Sequence, residues 1–160
     1  MVASFSWIEF LGAVGTTATP TNLNLGSTIA ANLAPSTYPI TAGTYSYEKW
    51  VKALFDGSFT RIENVQFWKS AGALVTGEVL NWTGQKVAYA TPTNVVSTFA
   101  TAAIGTSAPG SANVSIGGSL SGSLTATGYT DFIVLQSSIT TAASAGATNS
   151  KTLVMQYDEV

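Results

Sequence analysis

The sequence contains no cysteine and no histidine. The first absence excludes a disulfide framework, a thiolate nucleophile and a Cys-based zinc site, and leaves the redox compartment open. The second removes the commonest general base and the commonest metal ligand. Charge is scarce as well: 9% of the residues are Asp, Glu, Lys or Arg, against roughly 25% in an average soluble domain. Six basic residues and a net charge of −2 provide no basic stripe to neutralise a phosphate backbone, so nucleic acid is not expected as a partner. Long apolar runs are missing too. The N-terminal stretch MVASFSWIEFLGAVG lacks a basic n-region and carries Glu9 inside its apolar run, so it reads as neither a secretory signal nor a membrane span. No membrane partner is expected, and export would need another route, such as assembly into a particle released by lysis.

What is present points to β structure. A chain of 160 residues suits one domain that buries roughly 70% of its unfolded surface and needs no staples. With 46% hydrophobic residues and aromatics spread along the chain, a packed core is favoured over disorder. Ser, Thr, Asn and Gly supply the solubility that charge does not, and they favour strands and turns over helix. Gly and Pro cut the chain into short apolar runs at the spacing of a sandwich or barrel. Strands are predicted at 4–14, 21–27, 45–55, 64–70, 77–82, 85–91, 112–117, 120–127, 131–140 and 151–159. The last two, joined by AASAGATNS, read as a long terminal hairpin.

Two segments carry a helical alternative. In 45–55, Tyr47, Trp50, Val51, Leu54 and Phe55 also fit one helical face, with strand favoured. In 94–105 a short surface helix capped by Asn94 and ended by Gly105 competes with a plain loop. The expected fold is all-β: a single-domain antiparallel β-sandwich, jelly-roll-like, with an extended N-terminal segment. Residues 1–44 would form a strand and arm region packing on the body or on a neighbour, and 45–160 the sandwich body.

Charges are distributed unevenly. None occurs from Phe10 to Tyr47, only Asp131 occurs from Val87 to Ser150, and nine of the fourteen lie between Glu48 and Lys86. One reading is a solvated hairpin region among neutral ones. The other is that the neutral segments are cheap to desolvate and lie against another protein. Catalysis would have to run on carboxylates, since neither a Ser-His nor a Cys-His pair can be built. Glu63 with Glu78, or Asp56 with Glu63, could pair for glycoside hydrolysis, but each has a plain alternative as a surface charge beside Arg61, Lys69 or Lys86. Asp131 with Asp158 and Glu159 lacks the oxygen-rich loop that calcium requires. The run SIGGSLSGSLTATG matches neither G-x-S-x-G nor a phosphate-binding loop. No enzymatic activity and no cofactor are expected.

The aromatics remain. In NVQFWKS (64–70), if Val65 and Phe67 enter a core, Gln66 and Trp68 must leave it. Trp7 and Trp50 read as core residues, whereas Trp68 and Trp82, the latter in NWTG, fit exposure at an interface as well as burial.

Three stretches carry a resemblance: SYEKWVKALFDGSFTRIENVQFWKS, LVTGEVLNWTGQKVAYATPTN and DFIVLQSSITTAASAGATNSKTLVMQYDEV. Their order of an E-K-W strand, a Gly turn, an I-x-N-x-x-F-W segment, an A-Y-x-T-P segment and a terminal Y-D-E strand resembles a loosely defined group of small structural proteins of tailed bacteriophages. The resemblance covers about residues 45–160. It implies a β-sandwich or jelly-roll-like virion protein, specifically a capsid decoration (cement) protein made in the host cytoplasm and bound to the outer capsid surface. The implied partners are the major capsid protein and copies of itself, a trimer among the options. In that picture Trp68, Lys69, Trp82 and Lys86 are the candidate anchors of the contact, and Asn22, Asn24 and Tyr38 in the neutral arm extend it to a neighbour. The rival expectation, from the same Trp residues, is a carbohydrate-binding module of a tail-associated or secreted adhesin. A carboxylate-driven hydrolase is the third.

Overall fold

Strand β3 (Lys49–Gly57) lies at the centre of the architecture, and it is apolar on both faces. Val51, Ala53 and Phe55 point into one core, while Trp50 points into a second one on the other side. A strand covered on both sides loses the two-residue alternation of a half-buried one, which is why its pattern also fitted a helix. The computed structural model, which describes residues 2–143 and 149–160, contains no helix among them.

The remaining strands are β1 (Ala3–Leu11), β2 (Thr16–Ala18), β4 (Ile62–Ala71), β5 (Glu78–Lys86), β6 (Ala102–Ala103), β7 (Gly128–Tyr129), β8 (Phe132–Ile139) and β9 (Thr152–Glu159). Seven of the nine form one sheet in the order β2-β1-β3-β8-β5-β6, with β7 alongside β3, and β4 and β9 form a separate ribbon. Every pairing is antiparallel. The register sets Phe5 opposite Phe55, Trp7 opposite Ala53 and Trp82 opposite Leu135, so these side chains share the face that the ribbon covers. From the ribbon, Ile62, Val65 and Phe67 enter the same core, joined by Leu153, Met155 and Tyr157. Phe67 bridges it, with ring centroids 5.8 Å from Trp7 and 5.4 Å from Trp82.

The opposite face of the large sheet is closed by loop instead of sheet. Trp50 meets Tyr89, Phe99 and Phe132 edge-on at centroid distances of 5.2–5.4 Å, geometry that adds to the area they bury. A buried polar network holds the covering loop. The Glu48 carboxylate accepts from the Trp50 indole, the Thr93 N–H and the Ser97 hydroxyl, and Gln136 donates to the Ser46 and Val95 carbonyls and accepts from Ser97 N–H.

Several expectations are corrected. Segments 21–27, 112–117 and 120–127 are loops, which pack on the sheets and bond them at single points, such as the bridge of Ile62 with Leu124, without forming ladders. The strands expected at 77–82 and 85–91 are one strand, β5, which stops at Lys86; Gly84 lies within it because a Cβ there would sit 2.7 Å from the Asn113 carbonyl. The 94–105 helix is absent, since Ser97 and Ala100 are fixed to Glu48 and to each other instead of winding into a turn of helix. β8 and β9 do not form a hairpin: they belong to different sheets. Residues 144–148 of the segment between them lie outside the described residues.

The N-terminal region is integral to the body. β1 sits between β2 and β3, and the loop after β2 packs back through Leu23, Leu25 and the buried Leu33, with Tyr47 N–H donating to the Gly26 carbonyl at 3.0 Å.

Trp50→Ala is expected to cost about 3–5 kcal/mol, because it empties the centre of the second core and removes one of the three donors to the Glu48 carboxylate. Urea denaturation measures this, and a loss below about 1 kcal/mol would contradict the account.

Candidate functional site

Trp68 does leave the core, and the reason lies four residues earlier. Asn64 adopts a positive φ of 52°, and the β4–β9 register shifts between Glu63 and Gln66, the mark of a β-bulge. The bulge lets Ile62 and Val65 both face inward, after which Phe67 and Lys69 keep the inward parity and Trp68 is turned out, half-buried.

The other candidate residues do not converge on one surface. Trp82 is 9% exposed and packs on Phe67 within the main core, so the turn-like NWTG motif misled: it is mid-strand, opposite Leu135. Lys69 is 7% exposed, and its ammonium donates to the Gly72 carbonyl at 2.7 Å. Neither offers a surface anchor. Lys86 is half-buried with its Nζ 4.4 Å from the Phe99 ring centroid, a cation–π contact that seals the second core. Asn22 and Asn24 are half-buried in the loop after β2, and Tyr38 in the same loop is exposed.

Asn22 and Asn24 flank a cleft of about 590 Å³ between that loop and the start of β9. Trp7, Leu80, Leu135 and Leu153 give it apolar walls, and Glu78 and Lys151 meet in it as an ion pair at 2.9 Å. Ser137 also lines it, fully buried, with a hydroxyl that has no hydrogen-bond partner. Sequence reasoning missed Trp7, Ser137 and Lys151 here. The one legible signal was the polar pair Gln136–Ser137 in a strand otherwise apolar from Phe132 to Leu135.

The carboxylates are each occupied separately. Glu63 pairs with Arg61 at 2.9 Å on the ribbon, and Glu78 lies in the other sheet with Lys151. Asp56 accepts from the Thr127 hydroxyl and from Gly57 N–H, which together hold its carboxyl below the usual range. Asp131 is buried on Ser115 and Gly118 N–H, Asp158 accepts from Asn64, and Glu159 accepts from Ala3 N–H. Among the described residues no three acidic side chains gather as a metal site would require.

One ion pair is fully buried. Lys49 Nζ lies 2.6 Å from Glu9 Oε1 beneath the 25–33 loop, while Glu9 Oε2 has no partner. Burial pushes the Glu9 carboxyl above its ordinary value of 4.5, and Lys49 opposes the shift. Burial also lowers the Lys52 ammonium, which sits 4.3 Å from the Phe132 ring centroid and is partly compensated by Asp131.

Comparison with protein-family models, with curated proteins and with solved structures finds no match for this chain.

The Glu9–Lys49 pair generates a pH-dependent prediction. A carboxyl whose folded pKa is raised contributes stability below its unfolded pKa that is lost as pH rises through the folded one. Lys49→Met removes the opposing cation, so Glu9 shifts further upward. The variant should lose about 3–5 kcal/mol near neutral pH, with part of the loss recovered at a mildly acidic pH, where the upshifted Glu9 carboxyl takes up a proton. Urea midpoints at the two pH values test this; an equal deficit at both would show that Glu9 is not the cause.

Proposed function

We propose that this chain is a virion structural protein, a capsid decoration (cement) protein whose antiparallel β body is a jelly-roll-like sandwich. The observation that carries the reading is the neutrality of its loops. No charged residue lies between Glu9 and Glu48, and the only one between Lys86 and Lys151, Asp131, is buried. Loop surface of this kind is cheap to desolvate against another protein. It also displays apolar side chains, with Val95 and Val96 on the covering loop both 62% exposed.

In this reading the loops dock on the major capsid protein and on neighbouring copies, across an interface on the order of 1,600 Å². Trp68, Asn22 and Tyr38 are contact residues alongside Val95 and Val96. The protein binds the assembled lattice and not its free subunits, so it stabilises the lattice by mass action. Its copy number in purified particles, measured against the major capsid protein by quantitative mass spectrometry, tests the role. A stoichiometry comparable with the capsid subunit is expected, and absence from particles would end the proposal. Val95→Asp combined with Val96→Asp should weaken particle binding by about tenfold or more while leaving the thermal midpoint unchanged.

A second reading, a carbohydrate-binding adhesin module, is favoured by the cleft. Its size lies within the range of small-ligand pockets, its only charges neutralise each other, and the partnerless Ser137 hydroxyl suits a neutral hydroxyl-rich ligand. Retention on an immobilised glycan panel, lost in Ser137→Val, would establish it, and no retention on any glycan would remove it.

A further inference from the structure

Exposed strand edges recruit other strands, and most of the edges in this fold are short or capped. The large sheet ends on β2 and β6, of three and two residues, and its side strand β7 also has two, but β2 covers only Glu9–Leu11 of β1 and leaves its Ser4–Ile8 edge open. The outer edge of β4 is capped by loops: Lys69 N–H donates to the Gly105 carbonyl, Asn113 and Val114 N–H donate to the Val65 carbonyl, and Ile62 exchanges both bonds with Leu124. There the Asn113 side chain also bonds both the N–H and the carbonyl of Phe67, as a neighbouring strand would. β9 differs. β4 is its one strand partner, and away from β4 no backbone group of Thr152–Glu159 is hydrogen-bonded among the described residues. Leu153, Val154, Met155 and Tyr157 along it are only half-buried, and no charge occurs between Lys151 and Asp158. Natural proteins rarely leave an edge of this length and apolarity unprotected.

We infer that β9 pairs antiparallel with β9 of a second copy of this chain, about a two-fold axis through Met155, joining the two ribbons into one four-stranded sheet. Residues opposite each other in such a pair share a face. On the core-facing side, Lys151 then meets Glu159 of the partner subunit, Leu153 meets Tyr157 of the partner subunit, and Met155 meets its own counterpart. On the outer side, Val154 meets Gln156 of the partner subunit. Opposite charges therefore meet at both ends of the pair, where Glu159 of the partner subunit joins the Glu78–Lys151 ion pair as a second carboxylate. A parallel pairing in register would set Lys151 against Lys151 and Glu159 against Glu159, and two copies could not close it. This charge complementarity selects a second copy as the occupant of the edge. The inference stands on the strand alone and does not depend on a virion role.

Sedimentation velocity of the full chain from about 1 to 100 µM is the first measurement, and a species of twice the 16.5 kDa chain mass is expected. Amide hydrogen exchange on the wild-type chain should show β9 becoming more protected as concentration rises. Val154→Lys with Gln156→Lys places like charges at both outer crossings and should weaken the dimer by at least about tenfold. Val154→Glu with Gln156→Lys places opposite charges at the same crossings and should restore it. These side chains lie outside the core, so thermal midpoints should change little. A monomer at every concentration would hand the edge to some other chain and overturn the inference. A trimer, or a Lys–Lys variant that dimerises as tightly as the wild type, would overturn it equally.

Discussion

The double burial of β3 is the constraint from which the rest of the architecture follows. A central strand with Trp50 on one face and Phe55 on the other needs cover on both sides, and the chain has only one small sheet available for the task. The β4–β9 ribbon covers the Phe55 side. The Trp50 side is left to a loop, and irregular backbone can lie over a core only if its polar groups are satisfied. Glu48, Ser97 and Gln136 do this, each making several bonds to neighbouring side chains and backbone. A carboxylate buried for this purpose is the direct consequence of closing a core with loop.

The same economy explains why so few charges suffice and where they go. Of the fourteen charged side chains, Glu9, Glu48, Lys49, Lys69 and Asp131 are buried. They act as internal hydrogen-bonding groups more than as solubilising ones. Breaking a buried pair such as Glu9–Lys49 is costly because one uncompensated charge remains, although forming it contributes little net stability. Its value is positional: it draws the 25–33 loop onto the end of β1 and β3, where Lys49 also reaches the Ala30 carbonyl. Hydroxyls and amides are left to present the surface, and that surface is adapted to contact with protein or sugar more than to long-range electrostatics.

The all-β class and the strands at β1, β3, β4, β8 and β9 were legible because each contains a run of apolar or aromatic residues bounded by turn residues. Lys69 was read as an interface anchor and is buried, although the parity that sent Phe67 inward sends it inward as well. Trp82 was not legible. Its burial depends on Asn113 approaching Gly84 from a distant loop, and local sequence carries no trace of that contact. The predicted strands at 112–117 and 120–127 failed for a related reason: they do lie against β4, but through one bridge, two amides on the Val65 carbonyl and the Asn113 side chain instead of a ladder. The cleft was invisible because its walls come from β1, β5, β8, β9 and the 20–40 loop, which only tertiary structure brings together.

Edge management ties the fold to its use. A domain whose β2, β6 and β7 have only two or three residues and whose β4 edge is capped by loops has been shaped against unwanted pairing over much of its perimeter. Within that shape, the open edge of β9 reads as a retained function. It lies on the ribbon, whereas the neutral loops carrying Val95 and Val96 lie over the opposite face of the large sheet. The Val95–Val96 part of the docking surface is therefore separate from the β9 edge, whereas Trp68 lies opposite Val154 on the ribbon, so strand pairing between copies leaves that loop free to dock onto a larger partner. A protein able to do both at once can link neighbouring binding sites, and linkage multiplies weak contacts into durable ones through effective concentration.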